Sequence, residues 1–330
     1  MLDEEDRLSK HVRCAVLCVG LFLFLSPGPA SATPGGADSC RSALKEFVAA
    51  LKQADITTAS GLIEDIDLYC PPQNRIDARS NLGLLAARLA RLRLEKGEDV
   101  SGVIADAEAF LAYGDHWELR RLLGELAMSR KRFSDATEQY FKALELIDDT
   151  RFTRTPPDQE TILAVHDAAS EALSLSSIPV EPTTRGGAPT PYFAPTVRGI
   201  AVPKKTPQIT FVTNKAEFDP RGQVSAERLL PILRKETPHS VTVIGHTDDR
   251  GSDIHNLELS KRRALRLKDY LQANGFPGSV RVRWCGERVP VRLSNPGGYT
   301  QEERWQINRR VEVFYGQGGV SEERYGVCAQ

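Results

Sequence analysis

Gly245 to Leu271, GHTDDRGSDIHNLELSKRRALRLKDYL, is the stretch on which the reading of this chain turns. It follows Ser240–His246 (SVTVIGH), whose β-branched and apolar residues predict a buried strand. It then runs into a helix over Asn256–Asn274, where Leu259, Arg263, Leu267 and Tyr270 recur at helical spacing and Gly275 is the stop signal. Strand ends and helix starts on one edge of a sheet converge, so Asp248 and Arg263 are expected to share one shallow pocket. An acid and a guanidinium so placed suit a zwitterion with an ammonium and a carboxylate on one carbon. Asp248 would take the ammonium, and Arg263 would grip the carboxylate through two parallel hydrogen bonds. Asn214 and Asn256 could add neutral hydrogen bonds, and Arg309 a second cation. The bland alternative is an Asp248–Arg263 salt bridge, worth about 0–1 kcal/mol when exposed.

Working outward, Ile209–Val212 reads as a strand, and Ser225–Lys235 as a helix that Pro231 should bend or shorten. Val280–Trp284 and Arg310–Phe314 read as strands. The expected order over 208–316 is β-α-β-α-β-β, an α+β sandwich of helices on one sheet, with a tail at 317–330. Upstream, Pro179, Pro182, Pro189, Pro191, Pro195, Pro203 and Pro207 mark residues 177–207 as a largely extended linker.

Residues 40–176 read as helix after helix: Cys40–Gln53, Ser80–Lys96, Ala105–Ala112, Trp117–Ser129, Ser134–Ile147 and Gln159–Leu175. In the segment from Trp117 to Asp149, Gly124 and Ala136 would let two antiparallel helices approach closely. Tyr140 would fill the groove between them, and Ser134 could cap the second helix. This pattern resembles a tetratricopeptide (TPR) repeat, a helical unit that usually holds partner proteins. A helical bundle without true repeats is the alternative.

Lys10, His11 and Arg13 precede an apolar run from Cys14 to Leu25, followed by Ala30-Ser31-Ala32. Residues 1–32 therefore read as a cleavable export signal, with an uncleaved anchor, in the manner of motor stator proteins, as the alternative. Beyond the signal, Cys40, Cys70, Cys285 and Cys328 remain. Proximity and the domain division favour Cys40–Cys70 and Cys285–Cys328 as disulfides, fitting an oxidising compartment. A metal site is the alternative, but no C-x-x-C pair or His cluster accompanies them. The 43 Lys and Arg balance 44 Asp and Glu among 330 residues, so no electrostatic drive toward nucleic acid follows.

The string Gly245-His246-Thr247-Asp248, Gly251, Asn256, Leu259-Ser260, Arg263-Ala264 resembles the central motif of the OmpA-like peptidoglycan-binding domain. Thr213-Asn214-Lys215 falls at that family's first ligand-touching loop, and Asn308-Arg309-Arg310-Val311-Glu312 at its closing strand. The resemblance implies that Asp248 and Arg263 hold the diaminopimelate of the peptidoglycan stem peptide, with Asn214, Asn256 and Arg309 as further contacts. It implies a non-catalytic envelope protein of the periplasm, wall-associated and at the outer membrane, that needs no cofactor or metal. The helical region would then engage a second, unidentified envelope protein. The runner-up is an interaction scaffold whose OmpA-like domain has lost wall affinity. His246 and His255 flank the motif without metal-ligand spacing, and no nucleophile elbow or phosphate loop is present. The chain departs from the family at Trp284-Cys285-Gly286-Glu287, where Gly-x-Gly-Glu is usual, and in the longer insert Arg292–Trp305.

Overall fold

A computed structural model describes residues 36–176, 196–201, 204–205, 208–236, 238–293, 295–315, 320 and 322–330. The expected signal at 1–32 and most of the expected linker lie outside the described residues. The chain divides into two compact units, Met1–Leu123 with Leu146–Pro156, and Gly124–Glu145 with Pro157–Gln330.

The first unit is helical: α1 (Gly36–Lys52), α2 (Ile56–Gly61), α3 (Ile63–Tyr69), α4 (Pro72–Glu95) and α5 (Val100–Phe110). Leu44, Phe47 and Leu51 of α1 face a core that includes Ile63, Ile66, Leu82 and Leu85. Cys40 and Cys70 form a disulfide, so the bond ties α1 to the end of α3. The helices α2 and α3 escape a periodicity reading because six or seven residues span too few turns to show a stripe. Asp55 starts α2 by accepting the Thr58 N–H at 3.0 Å. Pro72 occupies the first turn of α4, where its missing N–H costs nothing, so this helix begins earlier than Ser80.

α6 (Trp117–Ser129) and α7 (Phe133–Asp148) form the hairpin that the small and large residues foretell. A Cβ on Gly124 would lie 2.7 Å from the Tyr140 ring, so only glycine admits that ring. Ala136 and Ala143, of the same helix as Tyr140, are fully buried. The capping expectation for Ser134 fails: α7 begins at Phe133, so Ser134 lies within the first turn, and its hydroxyl pairs with that of Ser176 at 2.9 Å. α8 (Gln159–Leu175) is capped by Asp158, which accepts the Thr161 N–H at 2.7 Å.

The rest of the second unit is built on a sheet. A two-stranded hairpin, β1 (Thr196–Val197) and β2 (Ile200–Ala201), turns at Arg198 and Gly199, both at positive φ. The main sheet holds β3 (Lys204–Lys205), β4 (Ile209–Thr210), β5 (Ser240–Gly245), β6 (Ser279–Trp284) and β7 (Arg310–Tyr315). Its order is β3-β7-β5-β6, with β4 also on β7; β5 is parallel to β6 and antiparallel to β7. β3 and β4 share one edge of β7, since Lys204 faces Tyr315 and Ile209 faces Val311. The end of the expected linker, at 196–201 and 204–205, is thus paired strand rather than spacer. A proline-rich neighbourhood is compatible with β3 because that strand is an edge.

α9 (Pro220–Glu236) and α10 (Asp253–Ala273) pack on the sheet. Leu229, Leu233, Ala264, Leu267 and Leu271 meet Val243, Val280, Val311 and Val313 in one core. α9 starts before Ser225 because Asp219 accepts the Gly222 N–H at 2.7 Å, and it continues through Pro231. A second cluster joins Ile244 and Phe314 to Tyr325, which lies in α12 (Glu322–Tyr325), and to the disulfide Cys285–Cys328. The order departs from β-α-β-α-β-β through one more helix, α11 (Gln301–Asn308), ahead of β7. Thr300 and Glu303 start it with a reciprocal capping box.

Candidate functional site

The site grows from the end of β5. A Cβ on Gly245 would sit 2.0 Å from the Ser260 carbonyl oxygen, so glycine is what lets β5 pass under α10. The chain then buries His246, Thr247 and Asp248. Gly251, at φ +106°, turns it, and Ser252 caps α10 by accepting the His255 N–H at 3.3 Å. Asn256, Ser260 and Arg263 follow on one stripe of α10, each 1% exposed or less.

Asp248 receives four hydrogen bonds. Its Oδ1 accepts from the backbone N–H of Arg250 at 3.2 Å and from Arg250 Nε at 3.3 Å. Its Oδ2 accepts from Arg250 Nη2 at 2.8 Å and from Arg309 Nη1 at 3.0 Å. Burial alone would raise this carboxyl, but the bonds from Arg250 and Arg309 outweigh it and hold the group below the ordinary aspartate value. Asp248 therefore pairs with Arg250 and Arg309.

Arg263 is bound elsewhere. Its Nε donates to the Lys215 carbonyl at 3.0 Å, Nη1 to the His246 carbonyl at 3.1 Å and Nη2 to the Val212 carbonyl at 3.3 Å. The guanidinium thus ties the 212–215 loop to the end of β5, with the Phe211 ring 5.4 Å from its carbon. Burial, then the neighbouring charge of Arg309, pushes Arg263 down to about 10, while Asp248 works in the opposite sense. It is a fixed cation whose charge and that of Asp248 act on each other.

The two asparagines are tethered. Asn214 adopts φ +55°, a left-handed conformation that asparagine tolerates better than most residues, and its Oδ1 lies 2.9 Å from His255 Nε2. Asn256 Nδ2 donates to Glu287 Oε2 at 2.5 Å. The loop that departs from the expected Gly-x-Gly-Glu is held firmly. Gly286 donates its N–H to Ser260 Oγ at 2.9 Å and accepts the Thr247 N–H at 2.9 Å.

Beneath the site lies a buried polar network. Arg310, fully buried, reaches Glu312, Asn308 and the Val289 carbonyl. Tyr325 donates to Glu312 at 2.6 Å, and His246 Nε2 lies 3.3 Å from the same carboxylate. Burial, then Arg310, pushes His246 down to about 4, with Glu312 opposing. Burial would raise Glu312, but Arg310, His246 and Tyr325 together hold it well below the usual range. Arg310 and His246 are thus both taken up by this buried network.

Three residues that motif reasoning passes over stand at this site. Arg250 covers Asp248. Trp305 lies under Arg250, whose guanidinium carbon is 4.3 Å from the ring centre. Asp249 accepts from Trp305 Nε1 at 2.6 Å. Arg250 is visible in the sequence as the residue before Gly251; Trp305 is hidden in an insert with no regular pattern.

Residues 210–304 match the OmpA family model. The C-terminal part of this chain is an OmpA-family domain. It is 40% identical over 86 residues to outer membrane protein A of Klebsiella pneumoniae, covering 25% of each chain. It is 31% identical over 113 residues to the peptidoglycan-associated lipoprotein of Rhizobium meliloti, covering 34% of this chain and 61% of the other. Among solved structures, the peptidoglycan-associated lipoprotein from Burkholderia pseudomallei aligns with TM-score 0.30 and 23% identity, covering 38% of this chain and 100% of that one. The chain spans about a quarter of the length of the outer membrane protein A relatives it matches. The OmpA domain includes Asn214, Asp248, Arg250, Asn256 and Arg263 within the matched span, while Arg309 falls just beyond it.

Proposed function

We propose that the OmpA domain binds peptidoglycan non-covalently, by recognising the zwitterionic end of diaminopimelate in the stem peptide. The carrying observation is Asp248, a carboxylate kept ionised at a strand end with Arg309 at 3.0 Å, in the field of the buried cation Arg263. An ammonium would bind Asp248, and the adjoining carboxylate would face Arg309 and the field of Arg263. Asn214 and Asn256 would fix orientation once released from His255 and Glu287. The OmpA family match and the resemblance to a peptidoglycan-associated lipoprotein support this reading. No catalytic step is assigned.

On this reading the protein is exported by the signal at 1–32, the two disulfides suit an oxidising periplasm, and the wall-bound chain lies near the outer membrane. The TPR-like helical region holds an envelope protein. The test is retention of the full-length protein on purified peptidoglycan, with loss on Asp248→Asn. The second reading, a scaffold without wall affinity, is favoured by one observation: Asp248 already carries four donors. Failure of the folded wild type to be retained would select it.

A further inference from the structure

Four hydrogen bonds saturate a carboxylate, which offers about four lone-pair sites. On Asp248 all four are taken, two at each oxygen. An incoming ammonium must displace a donor. The backbone N–H of Arg250 is fixed by the turn. Arg309 is held by burial, with its side chain 10% exposed. The Arg250 side chain is different: it is 40% exposed, and it supplies one donor to each oxygen. Its departure would clear one site on Oδ1 and one on Oδ2, the pair a ligand ammonium needs.

We infer that Arg250 is a built-in competitor for the ligand ammonium, a latch that closes the Asp248 site and must swing out before ligand enters. Trp305 sets the strength of the latch. Its indole lies beneath the guanidinium at 4.3 Å, a cation–π distance, and is itself held by Asp249 at 2.6 Å. Trp305 comes from α11, the helix inserted before β7, so the insert tunes affinity at a site whose ligand contacts lie elsewhere. The apparent affinity is the intrinsic affinity reduced by the fraction of molecules with the latch open. This inference rests on the proposed recognition of a zwitterion by Asp248.

The experiment titrates meso-diaminopimelate into the full-length wild-type protein, Arg250→Ala and Arg250→Lys, followed by calorimetry. One ion pair exposed on its Arg250 side only, plus one half-buried cation–π contact, sets the expected gain: Arg250→Ala should bind about 3- to 10-fold more tightly than wild type. Arg250→Lys, which keeps the competing charge, should stay nearer wild type. Binding by Arg250→Ala alone also supports the latch. Equal or weaker affinity for Arg250→Ala, with wild type binding, overturns the latch and leaves the recognition of diaminopimelate standing. A gain that Arg250→Lys reproduces in full overturns competition by charge. Binding by none of the three proteins overturns both.

Discussion

Arg309 Nη1 stands 3.0 Å from Asp248 Oδ2, both side chains about nine-tenths buried, across 61 residues of sequence. One comes from the loop after β5 and the other from the residue before β7, neighbouring antiparallel strands. The sheet therefore fixes the pair, and the charges need no long flexible arm to meet. Loss of charge at Asp248 should abolish ligand retention while costing modest stability, because the carboxamide of Asp248→Asn keeps the shape and one acceptor. Arg309→Ala should weaken retention without abolishing it, read on the same resin.

Arg263 should behave differently. Its three donors hold three backbone carbonyls from two segments. Arg263→Ala leaves the buried His246 carbonyl and two partly buried ones unpaired and should cost about 3 kcal/mol. Urea unfolding followed by circular dichroism checks this. Stability equal to wild type would contradict the structural role of Arg263, and loss of binding would then belong to direct contact.

The terminal clasp makes a separate prediction. Cys328→Ser removes the bond to Cys285 that pins α12 against the sheet, and should lower stability by about 2–4 kcal/mol. Tyr325→Phe, which only deletes the donor to Glu312, should cost about 1–2 kcal/mol. Thermal melts of both variants under oxidising conditions measure the difference. Equal melting temperatures for wild type and Cys328→Ser would refute the clasp.

Acid should destabilise the fold through its buried histidines. His246 titrates near 4 when folded, and His116 is pushed to about 3 by burial and by Arg88. Both take a proton near pH 6.5 when unfolded. The unfolded state thus binds more protons as pH falls below about 6.5, so stability is greatest above that value and declines toward about pH 4. Urea midpoints between about pH 7 and 4.5 should show the decline, and His246→Asn should flatten it. An unchanged slope in that variant would remove His246 from the explanation.

Tight packing in the helical hairpin can be tested at one atom. Gly124→Ala would push a methyl to 2.7 Å from the Tyr140 ring and should cost about 1–3 kcal/mol despite the better helix propensity of alanine. The gain in propensity would dominate if the ring could move aside, and the melting temperature would then rise.

Much of this architecture is legible in the sequence because it rests on repetition and on spacing. The alternation in Ser240–Gly245 and the stripe through Leu259, Arg263 and Leu267 each mark a face that must be buried. The cysteine pairs are legible from proximity within each region. What stays hidden depends on partners distant in sequence. Nothing local says that Arg263 is claimed by carbonyls at 212, 215 and 246, or that Arg250 folds back on Asp248 over an indole 55 residues away. Short elements are hidden for a different reason. α2, α3 and β3 have too few residues to show a period, and α11 announces itself only by its capping box.

The most direct test of wall binding through Asp248 is co-sedimentation of the full-length protein with purified diaminopimelate-type peptidoglycan, beside lysine-type peptidoglycan and the Asp248→Asn variant. Wild type should be retained on the diaminopimelate wall and little on the lysine wall, and folded Asp248→Asn should not be retained at all. A folded wild type that stays in the supernatant, or a variant that sediments as well as wild type, would contradict that recognition.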